Sequence, residues 1–276
     1  MAQPPERSAL SLCISIVTYK VRPDDFTAML ASLDAALESV AALPHLTTRL
    51  IIVDNGQQAA ELQPLLDVFP ALGAELVSNT ENVGYGRAQN QALAMAQADY
   101  HLLMNPDVVV QPECLLRGLQ YLEREAEVVA LSPQVTDIHG RLQYLCKRYP
   151  SVLDLALRGF APASLRKFFE PRLARYECRS MVNKKLTARA ERISGCFMVC
   201  RGTALRRAGG FDERFFLYFE DFALSIELAK QGLLMYYPQI SIVHYGGYAA
   251  RKGWVHIRLF ARSALRFFNL YGWKLF

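Results

Sequence analysis

Carboxylates, amides and one histidine stand in this 276-residue chain at places where a ligand could meet them. Thr18-Tyr19, Asp54-Asn55 and Asn105-Pro106-Asp107 each close an apolar run. In an open parallel sheet, ligands collect outside the carboxyl ends of the strands. A lone aspartate at such an end shapes a turn or caps a helix as readily as it binds, but three polar ends on successive runs point to a site. Between them, Asn82-Val-Gly-Tyr-Gly-Arg-Ala-Gln-Asn90 places Gly84 and Gly86 at a helix start, with Arg87 and Asn90 in its first turns. Free N–H groups there could face a phosphate. A tight turn that lets the helix pack closely explains the glycines equally well, and GxGxxG is absent. Farther on, Glu220-Asp221 follows Phe215-Phe-Leu-Tyr-Phe and opens a helical stretch, whose positive end would keep both acids ionised unless the site is dry. His244 ends a late apolar run.

The elements that must position these groups follow a βαβ rhythm over the first 110 residues. Ile14–Thr18, Leu50–Asp54, Glu75–Ser78 and His101–Asn105 read as strands with helical stretches between them, which predicts a parallel sheet. The first helix is expected to begin after Pro23 with Asp24 as its cap, burying Phe26, Met29, Leu30, Leu33, Leu37 and Val40 along one face. Residues 141–192 lose the rhythm. It returns with a strand over Ile193–Arg201, a helix over Phe219–Lys230, a strand pair around Met235–Tyr237 and Ile240–His244, and a helix from Trp254 onward.

A hydrophobic content of 52% can fill a sizeable core. The six cysteines are scattered without CxxC pairs and read as reduced and buried. The opening Met1-Ala-Gln-Pro-Pro-Glu-Arg lacks a cationic signal-peptide start, and no uninterrupted apolar stretch is long enough to span a bilayer, so a cytoplasmic protein is expected. The net charge of +5 hides an asymmetry: residues 141–192 contribute +9 and residues 251–276 contribute +6, leaving −10 for the rest. Basic flanks on an acidic body suggest anionic partners. Arg258, Arg262 and Arg266 form one stripe on a helix that also carries Trp254, Ile257, Phe260 and Phe268. It suits a membrane interface, or a terminal helix docked on the body with its arginines in water. Nucleic acid is not expected, because no recognition module is present.

Taken in order, Ile-Ser-Ile-Val-Thr-Tyr (14–19), Ile-Val-Asp-Asn (52–55), Glu-Asn-Val-Gly-Tyr-Gly (81–86), Leu-Leu-Met-Asn-Pro-Asp (102–107), Ile-Ser-Gly-Cys-Phe-Met (193–198), Gly-Gly-Phe-Asp-Glu-Arg-Phe-Phe-Leu-Tyr-Phe-Glu-Asp (209–221) and Val-His-Tyr-Gly-Gly (243–247) resemble the signature elements of family 2 glycosyltransferases. Within that family they are similar to rhamnosyltransferase-like enzymes of bacterial surface polysaccharide assembly. The likeness runs from Ile14 to about Gly247 and weakens across 141–192. It implies an α/β GT-A fold, Rossmann-like, with a mostly parallel central sheet flanked by helices and a C-terminal helical extension. Residues 1–250 would form the transferase domain, split into a nucleotide-binding half (1–110) and an acceptor half (111–250), and residues 251–276 a basic amphipathic helix.

By the same resemblance, Thr18, Tyr19 and Asp54 hold the nucleoside. Asn82 and its loop, with Gly84, Arg87 and Asn90, approach the ribose or diphosphate of a dTDP-linked sugar donor beside Asn105. Asp107 binds a divalent cation, Mg2+ or Mn2+, which as a hard Lewis acid stabilises the departing diphosphate. The family's Asp-x-Asp stands here as Asn105-Pro106-Asp107, leaving one carboxylate. His244 matches a position where some relatives supply a second metal contact; a satisfied strand-end histidine is the other reading. Asp221 is implied as the general base of an inverting transfer. Relatives commonly have an Asn after the Thr-Tyr pair and an acid two residues after the base, where this chain has Lys20 and Ala223. Asp212-Glu213-Arg214 reads as a structural turn. The expected reaction moves L-rhamnose from dTDP-rhamnose to a lipid-linked saccharide in O-antigen or surface polysaccharide synthesis, with peripheral contact at the inner face of the cytoplasmic membrane. The alternative is a catalytically weak subunit that binds a nucleotide sugar or carbohydrate.

Overall fold

A computed structural model describes residues 10–41, 43, 45–246 and 253–276. Gly247 of the last motif, the expected domain boundary at 250/251, and Arg251 and Lys252 of the basic flank lie outside the described residues. Strands β1 (Leu10–Thr18), β2 (Leu46–Asp54), β3 (Glu75–Ser78) and β4 (Tyr100–Met104) run parallel in the order β3-β2-β1-β4. The sheet continues into β9 (Phe197–Arg201), antiparallel to β4 and to β6 (Val128–Thr136), and then through β10 (Leu233–His244), which is parallel to β6. It ends at β5 (Val108–Val110), antiparallel to β10. Short strands β7 (Leu142–Gln143) and β8 (Ala188–Arg189) pair with β6 and β10.

The β1 sequence is apolar on both sides because both faces of the sheet are covered. Leu12, Ile14 and Ile16 bury with Phe26, Met29, Leu30 and Leu33 of α1 (Pro23–Val40). Cys13 and Val17 face Ala88 and Ala92 of α3 (Tyr85–Met95), whose small side chains let that helix lie close. Helices α2 (Ala59–Leu66) and α4 (Cys114–Arg124) add Leu62, Leu66, Leu115 and Leu119 to the α1 side. The larger core draws on both sides of residue 110, from Leu12 to Ile242.

Several local expectations are corrected. Asp24 does not cap α1: Pro23 takes the first helical position, where a missing N–H leaves nothing unsatisfied, and Arg22 precedes it and binds Asp25 at 2.7 Å. The strand expected over 193–201 begins only at Phe197, leaving 193–196 as a loop. The two late strands are one, β10, whose register against β6 shifts between Tyr236 and Ser241, around Pro238.

The unread segment 141–192 holds α5 (Val152–Phe160), α6 (Ala163–Phe168), α7 (Glu170–Tyr176) and α8 (Arg179–Asn183). A reciprocal cap between Ser151 and Asp154 starts α5, and Arg172 of α7 binds Asp154 at 2.7 Å and Ser151 at 2.9 Å. After α9 (Gly202–Arg207) and α10 (Glu220–Ala229), the chain ends in α11 (Gly253–Tyr271) and a short extended tail. Phe267 and Phe268 of α11 pack into an aromatic cluster with Phe215, Phe219 and Leu155, so the second half of the helix is docked. Its first half exposes Trp254 and Val255 beside Arg258 and Arg262. Nearer its start, His256 meets the Tyr218 hydroxyl at 2.8 Å and Phe260 packs on Phe219. All six cysteines are free. Among the described residues, no helix is long and apolar enough to cross a membrane.

Candidate active site

Asp107 immediately precedes β5 and His244 closes β10, and the antiparallel pairing of His244 with Val108 brings the two together. The Tyr245 N–H donates to the Asp107 carbonyl at 2.9 Å, and His244 Nε2 stands 3.5 Å from Asp107 Oδ1. Gln143 orients the imidazole. Its amide N–H donates to the His244 carbonyl at 3.1 Å, which leaves Gln143 Oε1, also at 3.1 Å, to accept from Nδ1–H. A neutral His244 then turns its Nε2 lone pair toward a carboxylate oxygen. Two lone-pair donors in that position repel unless a proton or cation joins them, and a metal-binding histidine typically has its other N–H held in this way. Asp107 and His244 are thus a donor pair that fits a divalent cation. A Cβ on residue 246 would collide with Asp107 Oδ2, so Gly246 keeps this corner open. No cluster of three or more protein ligands occurs among the described residues, so other oxygens would have to complete the coordination.

Asp221 lies in the first turn of α10, reached through Tyr218 and Phe219, both left-handed at φ 70° and 66°. That conformation is costly for aromatic residues and is held by packing of Phe219 against Phe267 and Phe260. Asp221 Oδ2 accepts the Gly195 N–H at 3.1 Å and Oδ1 accepts the Phe222 N–H at 2.9 Å. Burial raises the Asp221 carboxyl above its ordinary range, while these amides and Ser194 oppose the rise. Glu220 has a buried Oε2 without a partner, and burial together with the Asp221 charge pushes it up to about 8. The amides on both Asp221 oxygens favour its charged form, whereas Glu220 Oε2 has no donor, so Glu220 is the member of the pair that keeps its proton more readily. This is the dry case that the sequence left open: desolvation outweighs the helix dipole.

Cys196 links the two halves of the site. Its carbonyl accepts from the Asn105 N–H at 2.9 Å, next to the Gly195 amide that holds Asp221, and both Asp107 and Asp221 act on its thiol. A cavity of about 180 Å³ opens onto Asp221.

On the nucleotide side, Thr18 and Asp54 are register partners across β1 and β2, and both are fully buried. Asp54 accepts from the Gly56 N–H at 2.8 Å and the Gln58 N–H at 2.6 Å, so its first task is shaping the turn after β2. Tyr19, 52% exposed, is the accessible group there. Lys20 follows at φ 50°, a left-handed conformation that asparagine adopts more readily; that accounts physically for the Asn common at this position.

Much of the 82–90 loop is engaged within the protein. Asn55 donates to Asn82 Oδ1 and to the Gly84 carbonyl, both at 3.1 Å, and Asn82 Oδ1 also accepts the Gly84 N–H at 2.9 Å. The Tyr85 N–H donates to the Phe216 carbonyl at 3.0 Å. The Gly84 and Tyr85 amides are thus occupied, and the loop clamps the segment entering α10. Arg87 pairs with Glu213 at 3.1 Å, and Asn90 bonds the Phe211 backbone in both directions at 2.9 and 2.8 Å. Both side chains hold α3 to the turn of Asp212–Arg214 instead of facing an anion. The sequence reading also missed Ser194 and Gly195, which lay within a quoted motif but were taken as strand. It missed Tyr85, whose hydroxyl donates to the Gly195 carbonyl at 2.8 Å, and Gln143, which no local pattern marks.

The sheet, with Asp107 and His244 at one strand edge and Asp221 across a short loop, has the architecture of the GT-A fold. Solved structures share that architecture. GalNAc-T7 with UDP, GalNAc and Mn2+ superimposes with a TM-score of 0.63 at 12% identity over 86% of this chain, which spans 43% of that one. S. aureus TarS in complex with UDP gives 0.55 at 14% identity over 93%, spanning 66% of that chain. Residues 14–210 match the family described as glycosyl transferase family 2, and the chain belongs to it. It is 27% identical over 257 residues to N-acetylglucosaminyl-diphospho-decaprenol L-rhamnosyltransferase of Mycobacterium tuberculosis, covering 87% of this chain and 78% of that protein. It is 24% identical over 181 residues to rhamnosyltransferase WbbL of Escherichia coli K12, covering 61% and 63%.

Proposed function

We propose that this family 2 enzyme inverts the anomeric centre while moving L-rhamnose from dTDP-L-rhamnose to a lipid-linked saccharide, in O-antigen or related surface polysaccharide synthesis. The observation that carries the reading is Asp221, whose oxygens accept the Gly195 and Phe222 amides at a cavity, with Asp107 and His244 across the Ser194–Cys196 loop. Two rhamnosyltransferases among its relatives support the donor, and the diphospho-decaprenol acceptor of one supports the lipid carrier. Residues 1–110 form the nucleotide half and residues 111–250 the acceptor half.

In this reading Asp221 removes the proton from an acceptor hydroxyl, and the oxygen attacks the anomeric carbon on the face opposite the leaving diphosphate. Tyr19 covers the nucleoside, with Thr18 and Asp54 fixing the turn beneath it and Asn105 and the Asn82 loop bordering the donor. Asp107 and His244 would hold a divalent cation, which when bound would supply positive charge for the departing diphosphate. The exposed half of α11 rests on the inner face of the cytoplasmic membrane.

Nucleotide release from dTDP-L-rhamnose, measured with a prenyl-diphosphate-linked N-acetylglucosamine acceptor, tests the proposal. Asp221→Asn is expected to lower kcat by roughly 10²- to 10⁴-fold with donor affinity little changed. Near-normal turnover would reject Asp221 as the base, and full activity in chelator would reject the cation.

A further inference from the structure

The cavity in front of Asp221 is walled on its far side by the segment that the sequence left unread. Lys147, Arg158 and Tyr176 line it together with Ser194, Glu220 and Asp221. Three cations converge there on one carboxylate: Glu177 meets Lys147 Nζ at 3.4 Å, Arg158 Nε at 3.2 Å and Arg179 at 2.7 Å. Arg179 has a second acid in Glu170 at 2.6 Å. Among the ion pairs of the described residues, Lys147 and Arg158 have Glu177 alone.

Lys147 is only 4% exposed, and its ammonium also donates to the Tyr144 carbonyl. Burial, and then the Arg158 charge, push it down to about 8. A buried cation that shares its counter-ion with two arginines is under-neutralised, an expensive arrangement unless something else supplies negative charge. Arg158, 52% exposed, sits where an incoming group would meet it. Its helix is fixed at the start by the Ser151–Asp154 cap and the Arg172 bridge, so the guanidinium is presented from a rigid element. Tyr218, Phe222 and Phe260 complete the lining with apolar surface suited to the C–H face of a sugar ring.

We propose that this cavity seats the acceptor, with Lys147 and Arg158 binding a phosphate group carried one sugar ring away from the hydroxyl that Asp221 deprotonates. The inference rests on Asp221 being the base. It assigns to the basic 141–192 segment the recognition of a sugar phosphate: Arg158 offers a planar fork to two phosphate oxygens and Lys147 a point charge behind it. A lipid diphosphate and a soluble sugar phosphate present the same chemistry.

Transfer to N-acetylglucosamine carried as a short prenyl diphosphate, as the 1-phosphate, and as a neutral octyl glycoside separates these sources. The wild type should prefer a phosphate-bearing acceptor over the neutral one by roughly tenfold or more in kcat/KM, as one charge-assisted contact provides. Arg158→Gln should bring that ratio close to one, mainly through the acceptor KM, and Arg158→Lys should restore part of it. A preference for the prenyl form alone identifies the lipid carrier; equal use of the 1-phosphate identifies the phosphate as sufficient. Inorganic pyrophosphate titrated calorimetrically in the presence of chelator should bind the wild type and lose roughly tenfold in affinity in Arg158→Gln. This measurement decides the matter even if none of the three acceptors is used. An equal fall on all three acceptors, or unchanged pyrophosphate binding in the variant, would overturn the subsite. Near-normal turnover of Asp221→Asn would instead overturn the base assignment, whatever Arg158 does.

Discussion

Glu220 is buried and the adjacent Asp221 partly so, and Asp221 has amide donors on each oxygen whereas Glu220 leaves Oε2 without a partner. That difference places the shared proton on Glu220 and has a consequence for stability. The Glu220 carboxyl is raised from 4.5 to about 8, so the folded state binds its proton more tightly than the unfolded chain. Below about pH 4.5 both states hold the proton. Between there and about 8 the unfolded chain has lost it while the folded chain keeps it, so stability falls as pH rises, by at most about 1.4 kcal/mol per pH unit, and levels off above. Lys147 has its own window, which opens only at about 8 and runs upward from there. Glu220→Gln should therefore gain stability relative to the wild type as pH rises from 5 to 8, by on the order of 2 kcal/mol over the range. Urea midpoints collected at pH 5, 6, 7 and 8 check this, and parallel curves for the two proteins would refute it. None of this was visible in the residue order, since two acids at a helix start look alike until the donors around them are known. Asp221 was singled out only through the family motif, since without it the pair reads as ordinary first-turn acids.

At the scale of elements, the helix α3 and the entry to α10 are joined through one glycine. Gly84 sits at φ 90°, and a Cβ there would come within 2.6 Å of the Phe216 carbonyl, which already accepts the Tyr85 N–H. Gly84→Ala meets both a backbone conformation that L-residues avoid and a collision with a backbone atom. We expect a loss of about 1–3 kcal/mol in thermal or urea unfolding. We also expect a lower kcat, because the displaced Phe216 segment leads directly into Glu220 and Asp221. A variant as stable as the wild type would show that the clamp can open without cost. The sequence pattern revealed that this loop contains glycines at a helix start but left two explanations standing, and only the partners of each amide separate them. The parallel half of the sheet was legible for the opposite reason: the C-terminal parts of β1 and β2 and all of β4 are buried and read as mainly apolar runs. The late elements were harder. β10 changes register midway, and β5 is three residues long, too short for any periodicity to register.

Over the whole molecule, charge and apolar surface come together where the transferase body meets α11. The docked half of that helix carries Phe267 and Phe268 into the aromatic cluster that also holds Phe219, so the C-terminus and the entrance to α10 share one core. The first half touches the body through His256 and Phe260 but presents Trp254, 79% exposed, ahead of Arg258 and Arg262. The asymmetric charge already suggested an anionic partner for this flank, but amphipathic spacing alone could not tell a docked stripe from an exposed one, because the helix contains both. A basic surface with an exposed indole is suited to anionic headgroups, each arginine contributing about 1 kcal/mol near such a surface. The chain has only two tryptophans, Trp254 and Trp273, and both lie in this terminal region, so intrinsic fluorescence reports on it almost exclusively. Vesicles containing phosphatidylglycerol should shift the emission to shorter wavelength, whereas vesicles of neutral phosphatidylcholine should not. Trp254→Phe should remove most of the shift, and the double change Arg258→Gln with Arg262→Gln should weaken vesicle binding by roughly tenfold or more. Raising the salt concentration should have a similar effect on the wild type, since exposed charges are screened within about 10 Å at 0.1 M ionic strength. Emission that ignores anionic vesicles would mean that α11 serves the fold alone, with its arginines turned to water.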